Sequence, residues 1–179
     1  MDTNATTQAL SLFSNRLTTL SALLDKVEAQ WSGRDLDELA NARLAPDMFS
    51  LAQQIWGVCI QPLQFMQWCQ GVDQPGPIPQ LETWNDARAV LRDALAEISG
   101  AAAAGLTAPT DKRLTITQIG LYIDFTAQRY LDDWVIPNLY FHLTTAYAIL
   151  RMKGAEIGKA DYLSHLAGDF RPIEAVADA

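Results

Sequence analysis

The sequence predicts an all-α protein, a four-helix bundle with a short β-hairpin or extended insertion before the last core helix. Apolar residues recur at spacings of three and four over four long segments, which is the pattern of amphipathic helices. Of the 179 residues, 49% are apolar, enough for one packed core. We therefore expect residues 1–179 to form a single domain, with its long helices closed into a bundle.

The first helix is predicted over residues 6–29. Its apolar positions repeat with helical period: Leu10, Phe13, Leu17, Leu20, Leu24 and Val27. The polar stretch that follows carries Leu36 and Leu39, which predicts one or two helical turns.

The second helix is predicted from about residue 46 to residue 70. Pro46 followed by Asp47 suits a helix start, since proline fits the first turn and an acid favours the positive end of the helix dipole. Pro62 lies inside this segment, where it removes a backbone donor and clashes with the preceding turn at a cost of about 3 kcal/mol. We expect a kink near residues 58–62 or two abutting helices. The proline-rich stretch 71–80 is predicted to be a loop.

The third helix is predicted over residues 82–99, with Gly100 just past its end. After a small-residue connector, residues 114–117 and 121–125 alternate in polarity and are rich in β-branched and aromatic side chains, with Gly120 between them. This pattern indicates a short hairpin, and irregular chain is the alternative.

Residues 126–135 suit a short helix or a turn. The last core helix is predicted from about 137 to 153, with Gly154 as its stop, and it is apolar almost all round, as an interior helix is. Residues 164–179 are expected to be a mobile tail.

Composition excludes several classes of partner. Thirteen basic and 21 acidic side chains give a formal net charge of −8, which argues against nucleic acid, because phosphate binding needs clustered Lys and Arg. The N-terminus lacks the basic and apolar regions of a signal peptide, and no window approaches 18 continuous apolar residues, so we expect no membrane partner and a cytoplasmic location. Cys59 and Cys69 would lie about 15 Å apart on one helix, too far for a disulfide.

Polar side chains line one edge of each of two predicted helices. Asn138, His142 and Thr145 recur at spacings of four and three on the last helix. Asp47 and Gln54 lie in line on the second helix, followed by Gln61. If the two edges face each other, they form the wall of a small-molecule pocket, since bundle sites are made by inward side chains of facing helices.

His142 is the histidine of the apolar last helix. It suits a general base, a metal ligand or a hydrogen-bonded core residue, and the core role is favoured because buried polar atoms are usually paired. A helical metal pair needs a second ligand three or four residues away, whereas the residues four away are Asn138 and Ala146. His165, near the end of the chain, is expected at the surface.

Two segments and a third behind them resemble a known family. They are ARLAPDMF at residues 42–49, PNLYFHLTTAYAILR at residues 137–151 and GKADYL at residues 158–163. They are similar to the bacterial family called domain of unknown function 1993, within the DinB/YfiT-like group of predicted metalloenzymes. The resemblance covers nearly the whole chain and implies a DinB-like four-helix bundle.

The resemblance also implies a type of site. DinB-like relatives with a known site hold a divalent metal, such as zinc or nickel, with three histidines on facing helices, and some transfer thiol cofactors or bind small molecules. His142 is the one position that carries over as a ligand. Ala146 stands one turn later and Gln54 on the second helix, and two histidines cannot build a three-histidine site within one chain. Arg43 and Asp47, also in the family motif, suit a cap or an ion pair.

Three hypotheses follow. The leading one is a protein that binds a small molecule in a polar-lined pocket between the second and last helices, built around His142, Asn138 and Gln54, with Asp47 and Thr145 in its wall. The second is a metal-dependent hydrolase or transferase in which His142 is a ligand of an incomplete divalent-metal site. The third is a homodimer formed through exposed tryptophans, among Trp31, Trp56, Trp68, Trp84 and Trp134.

Overall fold

The computed structural model describes residues 1–72 and 79–171. Its four long helices are α1 (Thr3–Gln30), α3 (Leu51–Cys69), α4 (Trp84–Ala102) and α6 (Ile136–Met152), and its short ones are α2 (Leu36–Ala40), α5 (Ala127–Arg129) and α7 (Lys159–Tyr162). Strands β1 (Asp111–Ile116) and β2 (Leu121–Thr126) form a hairpin before α6. This arrangement confirms the predicted bundle with its insertion. In the described ranges no helix is both long and apolar enough to cross a membrane.

Helix α3 begins later than predicted. Its first residue is Leu51 rather than position 46, because Ser50 and Gln53 form a capping box in which each side chain bonds the other's backbone N–H. Pro46 and Asp47 lie in the turn before this cap. The helix start is therefore set by the local cap and not by the proline.

Helix α3 continues through Pro62 as a single element. Of the two alternatives, a kink near residues 58–62 or two abutting helices, the second is therefore excluded. Pro62 itself is buried, as are Val58 and Phe65 on either side of it. Burial of this apolar surface offsets the lost backbone hydrogen bond.

Helix α4 also extends past its predicted end. Gly100 lies within the helix, and its φ is not among the positive values that a terminating glycine adopts. Ala101 is buried on the following turn. Burial of Ala101 thus stabilises the last turn of the helix, which ends at Ala102.

The hairpin is confirmed, and β1 begins three residues before the predicted start. The strands pair antiparallel from Asp111 opposite Thr126 to Ile116 opposite Leu121. Gly120, with φ 67°, supplies the left-handed residue that the turn requires.

A helical segment joins the hairpin to the last core helix. Helix α5 runs into a π-helical turn at Tyr130–Val135 and then directly into α6, and Gly154, with φ 95°, follows its end as predicted. Residues 73–78 of the predicted loop and 172–179 of the predicted tail lie outside the described residues, whereas Ser164–Leu166 form a 3-10 turn.

The core lies between α1, α3, α4 and α6, with α3 packed against both α4 and α6. Phe65 of α3 stands at its centre, edge-to-face with Phe13 and stacked on Tyr130. Both cysteines are free thiols, as expected, and burial raises the pKa of Cys69 to about 11.

The tryptophans named for a dimer interface are not exposed. Three of them are buried, namely Trp31, Trp68 and Trp84, and the other two are half-buried. Their indoles are used inside the fold: Trp68 packs edge-on against Tyr130, and Trp84 donates its N–H to Glu28. The homodimer hypothesis therefore loses the residues on which it was based.

Candidate functional site

His142 lies at the junction of α3 and α6, half-buried, with its ring fixed by Gln54. Its Nδ1 is 2.8 Å from Oε1 of Gln54, which is buried on α3 with an exposure of 1%. The amide nitrogen of Gln54 donates to the Phe49 carbonyl oxygen at 3.4 Å, which leaves Oε1 to accept. Nδ1 of His142 is therefore the donor, and the neutral ring carries its proton on that nitrogen.

Gly57 provides the space in which the imidazole lies. A Cβ atom built on this glycine would lie 2.5 Å from Cγ and 2.6 Å from Nδ1 of His142, closer than any side chain allows. The ring thus packs directly on the α3 backbone. Gly57 was not predicted as a site residue, although a lone glycine inside an apolar helix is a signal, since it costs about 1 kcal/mol relative to alanine and calls for a packing reason.

Two phenylalanines flank the ring and were also missed. The ring of Phe49 is nearly parallel to that of His142, with centroids 6.1 Å apart, and Phe141 stands edge-on at 5.3 Å. Both phenylalanine side chains are exposed. The histidine therefore has an aromatic rim on the solvent side of the helix junction.

Burial lowers the pKa of His142, so the neutral imidazole is favoured. The second nitrogen, Nε2, has no hydrogen bond to any residue that the structure describes, and it is not among the buried polar atoms without a partner. Nε2 is therefore not fully buried, and in this tautomer it carries a lone pair. It can accept a hydrogen bond or take up a proton.

The other predicted site residues of α6 bond to their own helix. The Asn138 amide donates to the Trp134 carbonyl at 2.7 Å, and the buried Thr145 hydroxyl donates to the Phe141 carbonyl at 2.7 Å. Asn138 is half-buried, one turn before His142. The hydrogen bond to the His142 ring therefore involves Gln54 on the facing helix α3, and not Asn138 or Thr145.

Asp47 is exposed in the turn before α3 and forms no hydrogen bond or ion pair with any described residue. The ion pair of Arg43 with Asp47 is not formed. Arg43 donates to the Met48 carbonyl at 2.5 Å and to Oε1 of Gln53 at 3.2 Å. Of the two roles predicted for Arg43, a cap or an ion pair, the structure shows the first, because Arg43 contacts the cap of α3.

Gln61 and His165 each have a buried polar atom without a hydrogen-bond partner among the described residues. Oε1 of Gln61, one turn beyond Gly57 on α3, is buried and has no hydrogen-bond partner in the described parts of the chain. His165, expected at the surface, is half-buried, and its Nδ1 is likewise buried without such a partner.

The residues around His142 do not fit a three-histidine metal site. No group of three His, Cys, Asp or Glu side chains in the described residues is arranged to hold a metal ion. At the positions that surround the ring, α3 offers the amide of Gln54, whose oxygen already accepts from Nδ1, and the bare backbone of Gly57. On α6, Ala146 is buried in the core one turn later. Amide and apolar groups are poor partners for zinc or nickel.

Comparison with known proteins shows the fold and the family together. The chain is 30% identical to a DinB family member from Shewanella denitrificans whose crystal structure has been determined; the match covers 97% of each chain, with a TM-score of 0.73. No curated protein matches. The family model described as domain of unknown function (DUF1993) matches residues 6–163. The chain therefore belongs to the DUF1993 family and has a DinB-like fold.

Proposed function

We propose that this DinB-like bundle binds a small molecule at the junction of α3 and α6, and that the ligand donates a hydrogen bond to Nε2 of His142. One observation carries the proposal. Gln54 and Gly57 fix the ring with Nδ1 bonded to α3, while Nε2 is not fully buried and has no hydrogen bond to a described residue. An acceptor that is already oriented costs little entropy to use on binding.

The surroundings of His142 suggest the chemistry of the ligand. A neutral imidazole nitrogen accepts from a hydroxyl or an N–H group, and a lowered pKa keeps it neutral. The exposed rings of Phe49 and Phe141 offer an apolar surface beside it. An aromatic or aliphatic molecule that carries one such donor group suits both features.

The polar groups one turn away would extend the site. Helices α3 and α6 run antiparallel, because Phe65 contacts Tyr130 while Gln54 contacts His142. Gln61, one turn beyond Gly57 on α3, and Asn138, one turn before His142 on α6, therefore lie on the same side of the His142–Gly57 contact. In this proposal they form the polar end of the pocket, with Thr145 behind His142 and Asp47 at the outer edge.

The test compares two small ligands that differ in one donor. Phenol and anisole have the same aromatic body, but anisole has no hydroxyl hydrogen to donate. Each is titrated to millimolar concentration into protein labelled at histidine, and the ring resonances are followed by NMR. We expect phenol to shift the Cε1 and Nε2 signals of His142 and anisole to bind more weakly.

His142→Phe serves as the control variant, because it keeps an aromatic ring on Gly57 and removes both nitrogens. With the variant shown to be folded by its amide spectrum, phenol should lose its preference over anisole. Equal binding of the two ligands to the wild type, or no shift of His142 by phenol, contradicts the proposal.

A further inference from the structure

A cavity lies away from His142, between α6 and the short helix α7. It has a volume of about 260 Å³ and is lined by Thr144, Tyr147, Lys159 and Tyr162. Thr144 and Tyr147 follow His142 by two and five positions, which places them about 200° and 140° around the helix from it. The cavity is therefore separate from the site at His142.

Aromatic surface makes up its walls. The rings of Tyr147 and Tyr162 are edge-to-face, with centroids 5.7 Å apart and an interplanar angle of 79°. Oγ1 of Thr144 and the Tyr162 hydroxyl are hydrogen-bonded at 3.2 Å, which joins α7 to α6. Both tyrosines are half-buried, so the rings are fixed by packing and still present surface to the cavity.

The cavity also contains a cation without a counter-ion. Lys159 is exposed, and its ammonium group forms no ion pair or hydrogen bond with any residue in the described ranges. The nearest acid in sequence, Asp161, is already occupied, since it accepts from Lys26 Nζ at 2.8 Å and from the Gly158 N–H at 2.7 Å. The ammonium group is thus available to a ligand.

We propose that this cavity binds a small carboxylate with a flat apolar body. The carboxylate pairs with the Lys159 ammonium, and the body packs on the rings of Tyr147 and Tyr162. A single cation beside apolar walls suits a monoanion. A net charge of −8 over the whole chain disfavours more highly charged anions.

Benzoate is the probe, and benzyl alcohol is its uncharged counterpart. Titration into wild-type protein, followed by amide NMR, should shift the resonances of Tyr147, Lys159 and Tyr162 with benzoate. Lys159→Met should weaken benzoate binding about fivefold, as expected for a partly exposed ion pair, and leave benzyl alcohol unchanged.

Lys153→Met is the matched control, because it removes the same charge from a lysine that pairs with Glu38 instead. A second variant, Tyr147→Leu, should weaken the binding of both benzoate and benzyl alcohol. Equal benzoate affinity in wild type and Lys159→Met, equal binding of benzyl alcohol and benzoate, or no benzoate binding at millimolar concentration would overturn the proposal. Benzoate should still bind His142→Phe, which separates this cavity from the proposed function.

Discussion

At the scale of single residues, the orientation of His142 is set by the facing helix. Gln54 fixes one ring nitrogen and Gly57 makes room for the ring. Neither contact can be obtained from α6 alone, although α6 carries the histidine.

Gly57→Ala should destabilise the protein by about 1–3 kcal/mol, because the added methyl group overlaps the His142 ring and overpacks the junction. Gly100→Ala is the matched control, since it is also a helical glycine and its Cβ meets nothing within 4 Å. There alanine should stabilise by up to about 1 kcal/mol. Urea unfolding of both variants measures the change in the free energy of unfolding, which should be opposite in sign for the two substitutions.

A double variant shows whether the ring is the obstacle. In a His142→Ala background the methyl group at position 57 has space, so Gly57→Ala should cost far less there than in the wild type. If Gly57→Ala costs the same in both backgrounds, the ring does not occupy the space above the glycine.

Gln54→Glu should raise the pKa of His142, because a carboxylate beside Nδ1 favours the imidazolium form. An NMR titration of the His142 ring measures this change. The control Gln54→Leu leaves Nδ1–H without its partner and should cost about 1–3 kcal/mol of stability. An unchanged pKa in Gln54→Glu would show that the side chain at position 54 does not contact the ring.

Stability should fall in mild acid because of His142. Burial lowers the pKa of the folded imidazole below its ordinary value of 6.5, so the unfolded chain takes up the proton first. The neutral His142 ring therefore makes its full contribution to the free energy of unfolding above pH 6.5. That contribution is lost as the pH falls through the pKa of the folded protein. Urea midpoints between pH 8 and pH 5 should drop less in His142→Phe than in the wild type.

His165 provides the comparison, because burial lowers its pKa as well. A His165→Gln variant removes its share of the pH dependence. If the His142→Phe midpoints fall with pH as steeply as those of the wild type, His142 is not held in the neutral form.

At the scale of elements, periodic apolar spacing predicted the four long helices, and alternation predicted the hairpin. The ends of helices were less predictable, since they depend on individual bonds such as the Ser50 and Gln53 box. Pro62 and Gly100 are both poor residues in an isolated helix. The two helices continue through them because neighbouring side chains, Val58 and Phe65 on α3 and Ala101 on α4, are buried in the core.

Helix α3 starts at a cap formed by Ser50. Ser50→Ala removes the side chain that accepts from the Gln53 N–H and should cost about 1 kcal/mol. Ser32→Ala, at an exposed turn position, should change stability by less than about 0.5 kcal/mol. Thermal unfolding compares the two, and an equal effect would mean that the cap does not determine the start of the helix.

At the scale of the whole molecule, apolar periodicity and the resemblance of three segments to a known family both predicted the fold. The sequence predicted only part of the candidate site. Helical spacing placed His142 and Gln54 on polar edges that do meet, whereas the contributions of Gly57, Phe49 and Phe141 depend on which helices become neighbours. Asp47 was placed on the same edge as Gln54 because α3 was predicted to begin too early.

We propose that His142 in this DinB-like fold is a hydrogen-bonding group and not a metal ligand. The direct measurement is the zinc and nickel content of protein purified without an affinity tag, for the wild type and His142→Ala. We predict far less than one metal ion per chain, with no difference between the two proteins. One ion per wild-type chain that is lost in His142→Ala would show instead that His142 is a metal ligand.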